Sequence, residues 1–139
     1  PVTLSVSLHA HSDEKRSEIM PVNRRYPIAE LMEACRYYFG KTGRRISFEY
    51  TLISGKNDST ADARALAALL RREIGPIVHV NLIMLNEVRE TGLSAPERES
   101  ARAFCEELKR RGVNATIRRR LGSDINASCG QLRRSMKES

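Results

Sequence analysis

Few residues in this sequence have the type and setting for chemistry. The one that packing explains least is Cys129. It lies in the polar stretch GSDINASCGQL, residues 122–132, beside Gly130 and with no Cys-x-x-Cys partner. A thiol in such surroundings is a nucleophile if its pKa is lowered and an idle side chain if it is not. Arg118 and Arg120 stand just upstream and could lower that pKa or bind phosphate. Cys35 and Cys105 fall on apolar helical stripes, so core packing accounts for them. Three cysteines, odd in number and widely spaced, suggest neither a disulfide framework nor a complete metal site.

The other candidates carry less specific signals. His9 ends the polar face of a predicted strand, where it would reach a ligand or satisfy a structural bond. His11 is read as a loop residue. His79 falls on the polar face of another strand, as a ligand contact or a hydrogen-bonded structural group. Asn86 sits just past that strand, and its amide can both donate to and accept from a polar ligand or serve a turn. Glu49 lies mid-strand and is read as a structural partner of nearby arginines. The run KRRGVNATIRRR, residues 109–120, with Arg133, Arg134 and Lys137 beyond it, suits phosphate contacts or a solvated face. It lacks interleaved aromatics, so base stacking by this run is not indicated.

These residues need elements to hold them. Strand patterns cover Val2–Leu8, Arg45–Ile53, Ile77–Leu85 and Asn114–Arg120. Between them lie a short helix over Asp13–Met20 and a helix over Ile28–Phe39. The second has Ile28, Leu31, Met32, Cys35 and Phe39 on one stripe, and Gly40 and Gly43 to stop it. A third helix is expected from an N-cap at Thr60, with Asp62 close behind, to about Ile74 before Gly75-Pro76. A fourth spans Glu97–Arg111, closed by Gly112, and the tail after residue 120 is expected to hold one more. Alternating strand and helix means βα units and a parallel sheet.

The strands alternate more than a sheet covered on both faces should. Val2, Leu4, Val6 and Leu8 oppose Thr3, Ser5, Ser7 and His9; Ile46, Phe48, Tyr50 and Leu52 oppose Ser47, Glu49, Thr51 and Ile53. Val78, Val80, Leu82 and Met84 oppose His79, Asn81, Ile83 and Leu85, while Ala115, Ile117 and Arg119 oppose Thr116, Arg118 and Arg120. One face meets helices and the other resembles a ligand-lined lumen. The expected fold class is α/β: the C-terminal part of a partial (βα) TIM-like barrel, with about four parallel strands and outer helices. The alternative is a small flavodoxin-like sheet. In such barrels ligands bind at the C-terminal strand ends, which places SLHAH, SGKND, LNEV and LGSDINASCGQL on the functional rim.

At 139 residues, 40% apolar and 29% charged, the chain suits one globular domain. A net charge of +7 favours a polyanion, nucleic acid first. No apolar run approaches the roughly 20 residues of a membrane helix and no secretory signal is visible, so a cytoplasmic location is expected. Pro1 opens on a strand pattern without lead-in, which reads as an excised piece of a longer chain.

In combination, SLHA at 7–10, RRISFEYTLISGKND at 44–58, VHVNLIMLN at 78–86 and TIRRRLGSDINASCGQL at 116–132 resemble the C-terminal part of the RlmN/Cfr family. Those are radical S-adenosylmethionine (radical SAM) enzymes that methylate an adenosine of 23S ribosomal RNA. The resemblance implies a radical SAM barrel in which Ser7, Leu8, His9 and Asn86 contact S-adenosylmethionine. It implies that Cys129 is itself methylated by one cofactor molecule. A second is then cleaved reductively at a [4Fe-4S] cluster, giving a 5′-deoxyadenosyl radical that abstracts hydrogen from the S-methyl group. The carbon radical adds to adenine, and a second cysteine resolves the protein–RNA crosslink. Tethering the methyl carbon supplies the proximity that such an addition needs.

The implied reaction of the parent protein is methylation at adenine C2, and the implied partners are ribosomal RNA, with transfer RNA as a further substrate, and an electron donor for the cluster. Met84 and Glu87 stand where the family has prolines around its cofactor asparagine. The Cys-x-x-x-Cys-x-x-Cys cluster motif is absent from these residues, so the cluster ligands are expected upstream of Pro1 and residues 1–139 form a single domain. The isolated chain is then expected to be inactive. Three other functions fit the residues: an adenine C8 methyltransferase of the same family, a non-catalytic RNA-binding module, and an unrelated phosphate-binding barrel enzyme.

Overall fold

The computed structural model describes residues 4–19, 27–75, 78–85 and 95–120. Their elements alternate as the hydrophobic periodicity requires: β1 (Leu4–Ser7), α1 (Asp13–Ile19), α2 (Ile28–Thr42), β2 (Ile46–Leu52), α3 (Thr60–Glu73), β3 (Val78–Leu85), α4 (Arg98–Arg110) and β4 (Asn114–Arg120). The strands form one parallel sheet in the order β1-β2-β3-β4. Phe48 pairs with Val6 on one side and Val80 on the other, and Leu82 pairs with Ile117.

That order decides between the two folds open to the sequence. Every crossover moves one strand onward in the same direction. Crossovers of one hand then place every helix on the same face of the sheet. A flavodoxin-like order would reverse direction at a switch point and cover both faces. Burial agrees with the one-sided arrangement. Ile46, Phe48, Tyr50, Leu52, Val78, Val80 and Leu82 are fully buried beneath the helices. On the other face Ser5 and Ser7 are exposed, while Ser47, Glu49, Thr51, His79 and Asn81 are half-buried. Ile83 departs from this pattern, being buried on the polar side. On β4 the helix-facing set also thins out: Ala115 is buried, but Ile117 is 39% exposed.

Local chemistry adjusts two helix ends. Helix α2 runs through Gly40 and stops at Gly43, whose left-handed φ of 64° lets its N–H reach the Phe39 carbonyl at 2.7 Å. Helix α3 is capped by Ser59, not by Thr60. Ser59 Oγ accepts from the Asp62 N–H at 3.0 Å, and Asp62 Oδ2 accepts from the Ser59 N–H at 3.2 Å. This reciprocal box needs an acid three residues on, and Thr60 has Ala63 there. The tail helix expected after residue 120 lies outside the described residues.

The core is the layer between sheet and helices. Tyr50 and Phe104 meet at 5.2 Å between ring centroids. Met32 and Cys35 of α2, Leu66 and Leu70 of α3, and Cys105 and Leu108 of α4 fill the rest. Both of these cysteines are free and buried, as their helical stripes predict.

Candidate functional site at the strand ends

The ends of β1 and β2 are joined by a dense polar network. The Leu8 and His9 N–H groups both donate to the Glu49 carbonyl, at 2.9 and 3.3 Å. This keeps the chain against β2 after β1 has ended. The Leu8 side chain is fully buried, so a ligand at this turn meets only its backbone. Arg16, itself buried, reaches up from α1 and donates from Nε to the Leu8 carbonyl at 3.1 Å and from Nη2 to the Ser7 carbonyl at 3.3 Å. Burial lowers the Arg16 pKa, and neighbouring Asp13 opposes that shift.

His9 is the sole non-glycine residue with positive φ among the described residues, at 59°. A branched or bulky side chain holds this conformation only when its surroundings enforce it. Here the Thr51 N–H donates to His9 Nδ1 at 2.9 Å. In the neutral ring the proton therefore sits on Nε2. The His9 carbonyl accepts from Asn57 Nδ2 at 2.8 Å. Asn57 lies in the turn after β2 and is fully buried. The same Nδ2 donates to the Thr51 carbonyl, its Oδ1 accepts from the Ile53 N–H, and its carbonyl accepts from Tyr50 Oη, each at 2.8 Å. Burial, with the charges of Asp62 and Asp58, pushes the Tyr50 phenol far above its ordinary pKa, so it stays a donor.

The loop beyond His9 is pinned at Asp62. His11 Nε2 meets Asp62 Oδ1 at 2.7 Å, and Lys15 Nζ meets the same oxygen at 3.1 Å. Burial alone would raise the Asp62 pKa, but the hydrogen bonds from His11, Ser59 and Lys15 outweigh it and hold the carboxyl below its usual range. His11 is thus a loop residue with a definite structural partner.

On the polar face, Thr116 Oγ1 donates to Asn81 Oδ1 at 3.0 Å and stands 3.0 Å from His79 Nε2. Its single hydrogen is committed to Asn81, so His79 Nε2 is the donor of the second bond. Burial first, then the positive charges of Arg45 and Arg118, lower the His79 pKa despite an opposing bond with Asn81. Glu49 accepts a long 3.5 Å bond from Ser5 Oγ.

Of the sequence-derived site residues, Ser7, Leu8 and His9 come together at one strand end. Asn86, Glu87 and Cys129 lie outside the described residues. Sequence reasoning missed Asn57, Arg16 and the His11–Asp62 pair as supports. SGKND reads as an ordinary turn, and no local signal shows that its asparagine is buried. Among the described residues no group of three or more His, Cys, Asp or Glu side chains could hold a metal ion, and no helix is long and apolar enough to cross a membrane.

A singly wound parallel sheet with its helices on one face defines a segment of a (βα) barrel. Comparison with known proteins narrows this class. No family model matches the chain. Over 134 residues it is 54% identical to a protein of Clostridium perfringens named probable dual-specificity RNA methyltransferase RlmN, and 53% identical to one of the same name from Alkaliphilus oremlandii. Each match covers 96% of this chain and 38% of the relative. A radical SAM methyltransferase from Sphaerobacter thermophilus superposes with a TM-score of 0.83 at 52% identity, over 95% of this chain and 38% of that one. A domain of pyruvate-formate lyase-activating enzyme from Bacteroides vulgatus superposes with a TM-score of 0.65 over 84% of this chain and 66% of that one, at 18% identity, which speaks to fold alone. The chain is therefore similar over nearly all of its length to proteins carrying these names, and spans about 38% of the length of those relatives.

Proposed function

We propose that these residues are the C-terminal, single-domain part of a cytoplasmic radical SAM RNA methyltransferase that acts on adenine C2 in 23S ribosomal RNA and in transfer RNA. The observation that carries this is the 54% identity to RlmN-named proteins over 134 of the 139 residues. A net charge of +7 suits an RNA partner.

S-adenosylmethionine, when bound, supplies the methyl group and the radical chemistry. The described residues fit its polar parts. Ser7 is exposed at the end of β1, and His9 is held beside it with its Nε2 protonated in the neutral ring. In this reading Ser7, His9, the Leu8 backbone and Asn86 position the cofactor, and Cys129 carries the methyl group. The [4Fe-4S] cluster does not fit the described residues. Cys35 and Cys105 lie in the apolar layer under the helices, and burial raises both thiol pKa values, although Arg36 and Lys109 respectively oppose the shift. The cluster ligands and the contact for an electron donor belong to the preceding part of the protein.

The test uses the whole protein, isolated without oxygen. Mass spectrometry of the peptide bearing Cys129 should find an added methyl group, and Cys129→Ala should abolish formation of 2-methyladenosine. An unmodified thiol in active enzyme would overturn the role of Cys129. The appearance of 8-methyladenosine would move the reaction to C8.

A further inference from the structure

The supports around His9 raise a question that its proposed ligand role does not answer. Left-handed backbone at a residue with a Cβ is costly, and something must hold it. Three contacts converge on the residue. Glu49 and Thr51 of β2 engage its N–H and its Nδ1, and both are regular strand positions whose backbone groups are available in any case. The third contact, from Asn57 to the His9 carbonyl, comes from a side chain committed to nothing else but the end of β2. A carbonyl that follows a left-handed φ points away from the regular ladder. It needs a donor that a neighbouring strand does not supply.

We propose that Asn57 is a positioning residue, whose buried amide fixes His9 in its left-handed conformation and thereby sets the Ser7–His9 turn against its ligand. The chemistry of the amide suits this task. One end must donate to two carbonyls, those of His9 and Thr51, while the other accepts from the Ile53 N–H. Asparagine provides that donor–acceptor pairing at this length. Aspartate has no donor when ionised, and serine has one hydrogen for three tasks. The clamp makes the ligand turn of β1 depend on the turn after β2, a coupling across 48 positions of sequence.

This rests on reading His9 as a cofactor contact, so the test separates the two ideas. In the whole protein, cluster loaded, Asn57→Ala is compared with Leu69→Ala, a core change on α3 remote from the turn. Equilibrium dialysis should show S-adenosylmethionine binding weakened about tenfold or more by Asn57→Ala, the scale of losing a buried hydrogen-bonded post, and little changed by Leu69→Ala. The crystal structure of Asn57→Ala should show His9 out of the positive-φ region with its bond from Thr51 broken. His9 unmoved, or equal loss of affinity in both variants, would overturn the proposal. If Asn57→Ala does not fold, Asn57→Ser keeps one donor and is judged by the same two readouts. If wild type does not bind S-adenosylmethionine at all, the functional reading fails, and the position of His9 in the variant still decides the role of Asn57.

Discussion

His79 shows how single side chains here report their surroundings. Burial and the charges of Arg45 and Arg118 resist its protonation, so its pKa lies below the ordinary 6.5. In the unfolded chain the ring is free to take a proton near pH 6.5. The unfolded state then binds more protons just below that pH, and stability rises with pH through this window. Stability should therefore be full above about pH 6.5 and fall as the pH drops toward the lowered folded value. Urea unfolding between pH 7.5 and 5.5 checks this. Replacing the ring, as in His79→Gln, should flatten that part of the curve. The polar character of position 79 was readable from strand alternation. Its partner Thr116 was not, because that pairing depends on the register of β3 against β4.

At the scale of elements, helix α3 supplies a clean case. Its start depends on the box between Ser59 and Asp62, and Asp62 also anchors His11 of the loop after β1 and Lys15 of α1. Ser59→Ala should cost about 1 kcal/mol, the usual loss for an N-cap hydroxyl. Chemical denaturation measures this directly. Replacing Asp62 by Ala should cost more than Ser59→Ala, since it also frees the loop that leads away from His9. Four strands and four helices were legible as periodic runs with glycine and cap signals at their ends. Differences fall at element ends: Leu8, Arg45 and Ile53 lie just outside the strands, and two helix ends shift. There a one-residue shift in the cap, or a helix that tolerates Gly40, turns on hydrogen-bond geometry that composition does not encode.

For the whole molecule, the one-sided layering puts most of the apolar contact in a single slab between sheet and helices. Phe104 sits at its centre, fully buried against Tyr50. Phe104→Ala should destabilise by about 3–5 kcal/mol, measured as a lowered denaturation midpoint. The polar face is unaffected by that layer and remains half-open to solvent. The same sheet is thus a firm scaffold on one side and a polar, solvent-reachable surface on the other.

Sequence alone determined the alternation of strand and helix, the two-faced strands, the buried helical cysteines and the kinship carried by the rim segments. Each is a local pattern, set by side-chain type at a period of two or of about 3.6. Tertiary structure alone decided the strand order and the grip on His9. Strand order is a choice among neighbours far apart in the chain, made by where the helices can pack. The grip on His9 needs Arg16, Asn57 and Thr51 within hydrogen-bond reach of one turn. A buried asparagine in a turn looks like any surface turn residue until the fold closes over it.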